Sequence, residues 1–374
     1  MQKVAFVGYR GMVGSVLMER MRAENDFKGF EPFFASTSQA GTKAPDIGGA
    51  PGQSLPPVAD AHDFDFLSGM DIIVTCQGSG YTQKMHPALK ASGWNGYWID
   101  AASALRMNDD SIIVLDPVNR HVIDKAIDAG IKNYIGGNCT VSLMLMAIGT
   151  LFKQGYIEWM TSMTYQAASG AGAKNMRELV AQMKMIGDRS AGLLADPGAA
   201  ILELDRHVLA TMTSSEFETE NFGAPLAGNL LPWIDAGMAD GRTKEEWKGF
   251  AETNKILENT PPIPIDGICV RIGAMRCHSQ AMTIKLTKDI PVQDISTMIA
   301  ESNEWVRVVP NVRETVVRDL TPAAVTGKLE IPVGRIRKLG MGGQYLGLFT
   351  VGDQLLWGAA EPVRRMLNIL LGRV

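Results

Sequence analysis

The first fifteen residues constrain the fold more than any other stretch of the chain. Lys3-Val4-Ala5-Phe6-Val7 is a short apolar run that suits a buried strand. It passes directly into Gly8-Tyr9-Arg10-Gly11-Met12-Val13-Gly14-Ser15, and a helical pattern follows from Val13 to about Arg22. A strand that turns through glycines into a helix is built to hold a dinucleotide. The glycines let the backbone approach a pyrophosphate, and the amides at the helix N-terminus stabilise its charge. The spacing is G-x-x-G-x-x-G rather than the commoner G-x-G-x-x-G, with a similar physical consequence. Gly8, Gly11 and Gly14 are therefore candidate nucleotide contacts.

The same alternation continues downstream. Apolar strands are expected at Pro32–Ala35, Asp71–Thr75, Tyr97–Asp100, Ile112–Leu115 and Asn133–Ile135, with helical stretches such as Thr82–Ser92 and Val122–Ala129 between them. Strands alternating with helices imply a Rossmann-type, doubly wound, mostly parallel sheet. Ser38–Pro57, rich in Gly, Pro and polar residues, reads as a surface loop. The second strand ends Phe34-Ala35-Ser36-Thr37-Ser38, with no acid to receive a ribose 2′-hydroxyl. Hydroxyls there, with Arg10 in the glycine turn, suit a 2′-phosphate, so NADP is expected over NAD.

At 374 residues the chain exceeds what one core normally holds, so two domains are expected. Beyond residue 139 the pattern changes. A long helix from Val141 to about Lys153 precedes a strand at Trp159–Gln166 and a helix from Asn175 to Ile186. Gly267–Leu286 reads as a strand pair or one bent strand, and Trp305–Val309 and Glu314–Val317 as further strands. This is an α+β domain with a largely antiparallel sheet. Gly352 to about Leu371 reads as a helix with an apolar face, free to pack back on the first domain. The expected division is residues 1–137, completed by 353–374, and residues 138–352.

A net charge of −4 argues against a nucleic-acid-binding protein. Four scattered cysteines suggest a reducing compartment. With neither signal-peptide organisation nor an apolar run near the ~20 residues of a membrane helix, a cytoplasmic protein with no membrane partner is expected. No closely spaced His/Cys/Asp cluster of metal-site type is present in the sequence, so no metal is expected.

Gly136-Gly137-Asn138-Cys139-Thr140 stands where a strand hands over to a helix. Asn138 suits the cap, and a thiol at Cys139 feels the positive end of the helix dipole, which lowers its pKa toward the reactive thiolate. The ordinary reading is a small residue packed under a turn. Among the five histidines, His278 has the most suggestive setting, Arg271-Ile272-Gly273-Ala274-Met275-Arg276-Cys277-His278, whose arginines suit an anion. Arg271 and His278 differ by an odd number, so a regular strand would send them to opposite faces, and a bulge near Gly273 would be needed to unite them. Arg106 follows a strand at the ligand-binding edge of the parallel sheet. Glu245 and Lys248 share a face of a helix capped by Thr243 and Glu246. Cys277, beside His278, is read as packing.

These segments resemble aspartate-β-semialdehyde dehydrogenase, of the enterobacterial type. The resemblance runs through the glycine turn, Gly136–Thr140, Thr164-Tyr165-Gln166-Ala167-Ala168-Ser169-Gly170, Glu245-Glu246-Trp247-Lys248-Gly249, Glu252-Thr253-Asn254-Lys255-Ile256 and Arg271–His278, reaching Val351-Gly352-Asp353-Gln354-Leu355. Tyr9 stands where Trp is common in that branch. The resemblance implies Cys139 as nucleophile, His278 as acid/base and Gln166 as the residue orienting substrate. It implies Arg271 for the substrate carboxylate, Glu245 for its ammonium group, and Arg106 with Lys248 for inorganic phosphate, the co-substrate. Arg10 to Val13, Thr37, Ser38, Gln77, Ser169, Gly170, Ala171, Gly172, Ala173 and Gln354 would contact NADP(H). A homodimer is implied, as is a place in lysine, methionine, threonine and diaminopimelate synthesis.

The implied reaction joins the Cys139 thiolate to the aldehyde, oxidises the adduct to a thioester and releases it to phosphate as 4-aspartyl phosphate; biosynthesis runs in reverse. Three rivals stand beside it: a non-redox cysteine acyltransferase or hydrolase, a catalytically silent nucleotide sensor, and an N-acetyl-glutamyl-phosphate reductase. Glu245 discriminates against the last, since an acetylated nitrogen needs no acid.

Overall fold

The computed structural model describes residues 1–48 and 55–374. The amino-terminal part runs β1 (Lys3–Val7), α1 (Met12–Ala23), β2 (Glu31–Ser36), β3 (Ala59–Asp60), α2 (Phe64–Ser68), β4 (Ile72–Thr75), α3 (Ser79–Ala91), β5 (Tyr97–Asp100), β6 (Ser111–Val114), α4 (Asp116–Asp128) and β7 (Asn133–Gly136). Its strands form one parallel sheet in the order β3-β2-β1-β4-β5-β7-β6. Both faces are covered, so the central strands are apolar throughout rather than alternating. Val4, Phe6, Ile72, Val74 and Ile99 pack on one side, and Ala5, Val7, Ile73 and Trp98 on the other. The chain moves one way from β1 to β2 and the other way to β4. The crevice at the carboxyl ends of β1 and β4 is thus a topological switch point, where ligands of such sheets bind. The described part of the expected Ser38–Pro57 loop holds no helix or strand, and its residues 49–54 lie outside the described residues.

Next come α5 (Cys139–Lys153), β8 (Ile157–Gln166), α6 (Ala173–Ala195), α7 (Ile201–Met212), β9 (Leu230–Leu231), α8 (Lys244–Ile256), β10 (Ile265–Asp266), β11 (Cys269–Ile272) and β12 (Cys277–Leu286). They are followed by α9 (Val292–Ala300), β13 (Val306–Val308), α10 (Arg313–Asp319), α11 (Pro322–Val325), β14 (Ile331–Lys338) and β15 (Tyr345–Asp353). The second sheet has the order β13-β14-β15-β12-β8-β11-β9, with β10 also on β8. It is mixed: its centre, β14-β15-β12-β8, is antiparallel, while β13, β10 and β11 add parallel pairs. Helix α5 is apolar on every side because it lies inside this half, where Met144 and Ile148 share a core with Met282, Ile284 and Leu348.

Two local expectations are corrected. Glu314–Val317 is helical, within α10. β-branched residues there favoured a strand, but the segment lies outside the sheet, and propensity yields to that context. The final helix does not begin at Gly352. The chain stays in β15 to Asp353, makes a π-helical turn at Leu356–Ala360, and only then enters α12 (Glu361–Leu370). Leu355, Val363, Met366 and Leu367 join the core of the first sheet, and Arg364 and Arg365 pair with Asp26 and Asp116.

Candidate active site

The glycine turn closes tightly. Gly8 has φ +75°, and a Cβ on Gly14 would lie 2.2 Å from the Gly8 carbonyl oxygen. Helix α1 thereby starts against the end of β1, with Gly11 at its cap and no side chain satisfying its first amides. Gly8 packs on Cys76-Gln77 after β4, and Gln77 donates to the Thr37 hydroxyl at 3.3 Å, with Thr37 and Ser38 exposed. Helix α6 opens in the same bare manner at Gly172 (φ +113°), just after the Ala168–Ala171 turn. Gln354 donates to the Ser169 hydroxyl at 2.7 Å. The residues expected to hold the nucleotide thus gather at two helix starts and a sheet edge, where glycines leave backbone open beside the side chains of Gln77 and Gln354. This is the kind of cradle a pyrophosphate needs.

Between the two starts lies a cavity of about 530 Å³. Met12, Val13 and Ser169–Gly172 line it, with Arg106, Cys139, Gln166, Glu245, Lys248, Arg271 and Gln354. Gly8, Gly11, Gly14, Thr37, Ser38, Gln77 and Ala173 do not line it, and neither does His278, which lies behind Gly170; Arg10 lines a second cavity of about 450 Å³ with Arg22 and Lys43. Cys139 is the first residue of α5. Its cap is Asn138, whose Oδ1 accepts from the amides of Thr140 (3.0 Å) and Val141 (3.2 Å), worth about 1 kcal/mol to the helix.

Arg271 and His278 meet without a bulge. Strand β11 pairs with one edge of β8, with Arg271 opposite Gln166, and β12 pairs with the other edge, with Ser279 opposite Tyr165. The Gly273–Arg276 turn crosses the end of β8, held by the Ala168 and Ser169 amides donating to the Ala274 and Met275 carbonyls. Arg271, Gln166 and His278 therefore lie side by side on adjacent strands. Gly170 lies against them: a Cβ there would be 2.8 Å from Arg271 Nη1 and 3.1 Å from His278 Nε2.

The charged groups interlock. Lys248 Nζ donates to Glu245 Oε2 (3.0 Å) and Asp235 Oδ2 (2.7 Å). Glu245 Oε1 accepts from Asn138 Nδ2 (3.0 Å) and Gln166 Nε2 (3.2 Å). Burial works to raise the Glu245 pKa, but Lys248 and these donors outweigh it, so the carboxylate stays ionised. Arg106 donates from Nε to the Gly136 carbonyl at 2.6 Å and from Nη1 to Glu252 at 3.2 Å. Arg271 donates to the Ala167 carbonyl at 2.7 Å.

The thiol departs from expectation. Burial, with Glu245 adding to it, pushes the Cys139 pKa up to about 12 against the pull of Arg271, Arg106 and Lys248. Desolvation thus works against the helix start here, although Cys139 is only partly buried at the cavity wall. His278 departs as well. Its Nδ1 accepts the Ala167 amide N–H at 3.0 Å. A backbone amide can only donate, so the neutral ring carries its proton on Nε2, which is buried with no partner. In this tautomer the ring offers a proton to the site and does not take one.

Burial, and then the neighbouring Arg271 cation, hold the His278 pKa well below 6.5. Below about pH 6.5 the unfolded chain binds a proton here that the folded chain does not, so stability is lost as pH falls through that range. His278→Gln is expected to reduce the acid-side slope of unfolding free energy by up to about 1.4 kcal/mol per pH unit. Denaturant titrations at stepped pH check this, and identical slopes for the two proteins would exclude it. The other histidines stand elsewhere: His86 is buried against Asn133, and His62, His121 and His207 are outside the site.

Asp235, Glu252, Gly358 and Lys43 escaped the reading of motifs. Only Glu252 carried a signal, as part of a resembling motif left without a role. Asp235 sits in a loop with φ +73°, and nothing in its local sequence pairs it with Lys248. All four cysteines are free. Among the described residues no group of three or more His, Cys, Asp or Glu is placed to hold a metal, and no helix is long and apolar enough to cross a membrane.

Two family models cover most of the chain. Residues 3–126 match the semialdehyde dehydrogenase NAD binding domain, and residues 148–357 match the semialdehyde dehydrogenase dimerisation domain. Aspartate semialdehyde dehydrogenase from Francisella tularensis superimposes with a TM-score of 0.94 at 46% identity, over 99% of this chain and 100% of that one. The chain belongs to the aspartate-semialdehyde dehydrogenase family. It is an oxidoreductase with a nucleotide-binding Rossmann domain. Fold similarity extends to aspartate semialdehyde dehydrogenase II from Vibrio cholerae, solved with ASA (TM-score 0.80, 24% identity, 100% of this chain and 98% of that one). It also reaches the Candida albicans enzyme solved with NADP (TM-score 0.64, 17% identity, 100% and 99%).

Proposed function

We propose that this member of the family reduces L-4-aspartyl phosphate to L-aspartate 4-semialdehyde and phosphate with NADPH, reversibly, through a thioester on Cys139. The observation that carries the reading is the content of one cavity. A thiol at a helix start faces three cations and a buried carboxylate, between two bare helix N-termini. Arg271 takes the substrate carboxylate and Glu245 its ammonium group, with Gln166 beside them to orient the acyl carbon. The ionised state of Glu245 favours a free amine over the acetylated nitrogen of an N-acetyl-glutamyl phosphate.

Arg106 and Lys248 receive the phosphoryl group. Cys139 Sγ attacks the acyl carbon and the C–O bond to phosphate breaks. The thiol proton leaves with the departing phosphate, which removes the need for a nearby base. His278 Nε2–H then donates a hydrogen bond to the acyl oxygen, where negative charge develops on reduction. The nicotinamide, when bound, supplies the hydride. Collapse of the adduct expels the Cys139 thiolate, which recovers a proton from solvent.

Met12, Val13 and Ser169–Gly172 would hold the nucleotide, with Thr37, Ser38 and Arg10 for a 2′-phosphate and Gln77 and Gln354 nearby. Lys43 and Arg22 add cations beside Arg10. One or two charge-assisted hydrogen bonds to that phosphate predict about 10- to 100-fold higher kcat/KM with NADP than with NAD. Phosphate-dependent reduction of each nucleotide by aspartate semialdehyde tests both points. Equal kcat/KM would refute the cofactor preference, and no absorbance change with either nucleotide would refute the reaction. The reading includes a cytoplasmic homodimer serving lysine, methionine, threonine and diaminopimelate synthesis. The dimerisation-domain match supports self-association.

A further inference from the structure

The segment Glu252-Thr253-Asn254-Lys255-Ile256 takes no part in the chemistry above. Yet Glu252 lies on α8 one turn beyond Lys248 and two beyond Glu245, and it is only 2% exposed. Both carboxylate oxygens are used. Oε1 accepts from Arg106 Nη1 at 3.2 Å, and Oε2 accepts the Asn138 backbone N–H at 2.6 Å. With Nε given to the Gly136 carbonyl, the guanidinium is gripped on two sides, and Nη2 is left without a protein acceptor among the described residues. Asn138 in turn caps the helix of Cys139 and donates to Glu245. A buried ion pair is a poor source of stability, because desolvation offsets its attraction. What this one provides is a fixed geometry between a cation and a loop.

We propose that Glu252 is a positioning residue for the phosphate step. It locks the Arg106 guanidinium and the Asn138 backbone into one frame, so that the phosphate site and the thiol keep a constant separation. The proposal rests on reading Arg106 as a phosphate ligand. By charge alone, a carboxylate this close to an anion site weakens phosphate binding, so charge and reach act in opposite directions and two variants separate them. Glu252→Asp keeps the charge but is one methylene too short to hold both partners. Glu252→Gln keeps the reach but turns an amide NH₂ against a neighbouring N–H donor.

Both variants are expected to raise the KM for inorganic phosphate about tenfold, the loss of one charge-assisted hydrogen bond's worth of orientation. The KM values for semialdehyde and NADP should stay within about twofold, because the frame touches neither substrate directly and Glu245 keeps its Lys248 and Gln166 donors if Asn138 shifts. Arg106→Lys alone should raise the phosphate KM. Adding Glu252→Asp to it should raise the KM no further, because Glu252 acts through Arg106. Thermal unfolding of each variant confirms that folded protein is being compared. An unchanged phosphate KM in Arg106→Lys would overturn the phosphate reading and the proposal with it. If Arg106→Lys responds as expected, four results each overturn the positioning role alone. These are an unchanged phosphate KM in Glu252→Asp, a proportional rise in both substrate KM values, additive effects in the double variant, or a lowered phosphate KM in Glu252→Gln.

Discussion

Replacing Cys139 by serine is expected to lower kcat by about 10⁴-fold or more while NADP binding survives. The substitution changes one atom at the first residue of α5. Asn138 still caps the helix, and the glycine turn and Ser169–Gly172 are untouched, so nucleotide affinity should remain within about twofold. A hydroxyl at this position has no means of activation. His278 presents Nε2–H with its other nitrogen occupied by the Ala167 amide, and Glu245 is committed to Lys248, Asn138 and Gln166. In the proposed reaction the wild-type thiol needs no resident base, because sulfur would give up its proton to the leaving phosphate. A serine oxygen, more basic and less polarisable than sulfur, would not. Single-turnover reduction and NADP titration of the same preparation check both halves. Turnover within tenfold of wild type would remove Cys139 from the reaction. Loss of NADP binding together with turnover would point instead to a structural role for this thiol.

Gly358→Ala is expected to lower kcat by about 100-fold, since a misplacement near 1 Å at a reacting centre costs on that order. Gly358 is the middle residue of the π-helical turn, and its backbone lies against Cys139. A Cβ there would fall 2.8 Å from Cys139 Cβ, 3.1 Å from Cys139 Cα and 3.2 Å from Gln354 Cβ. Something must move, and the turn cannot. Trp357 is fully buried with its ring 4.6 Å from that of Trp305, while Leu355 and Leu356 are set in the core of the parallel sheet. The displacement therefore falls on Cys139 and Gln354. Overpacking should also cost about 1–3 kcal/mol of stability. Steady-state kinetics below the unfolding range separates the two effects. A kcat within twofold of wild type would show that the turn accommodates a methyl group, and Gly358 would then have no part in seating the thiol.

The two substitutions differ in how visible their targets are along the chain. Cys139 announces itself, because Gly136-Gly137-Asn138 ends an apolar strand and Asn138 is a helix cap by its own chemistry. Gly358 does not. It falls inside a run whose leucines, valine and methionine have helical spacing, and that periodicity is the same whether or not a π-helical turn interrupts it. The glycine turn after β1 is legible for the reason Cys139 is: the constraint and the residues that meet it lie within seven positions. Arg271 and His278 mark the opposite case. Strand period sent them to opposite faces, and a bulge was the nearest local remedy. The actual solution puts them on separate strands flanking β8, which depends on residues 100 positions upstream. The thiol belongs here too. A helix start promises a lowered pKa, but the promise holds only where water or cations outweigh burial, and that balance is set by side chains from α8, β11 and the loop around Arg106.

Local sequence chemistry alone specifies the β–α nucleotide turn, the alternation that makes a parallel sheet, the capped thiol and the Glu245–Lys248 face of α8. Each of these follows from backbone hydrogen bonding and side-chain period within one or two turns of chain. Packing alone decides that Glu252 reaches both Arg106 and Asn138, that Asp235 holds Lys248, that His278 keeps its donor nitrogen buried and unpartnered, and that Gly358 packs on Cys139. Those relations join segments about 13 to 220 residues apart. They arise only when sheet order and register place the segments together, and pairing between distant residues leaves no periodic trace in either partner.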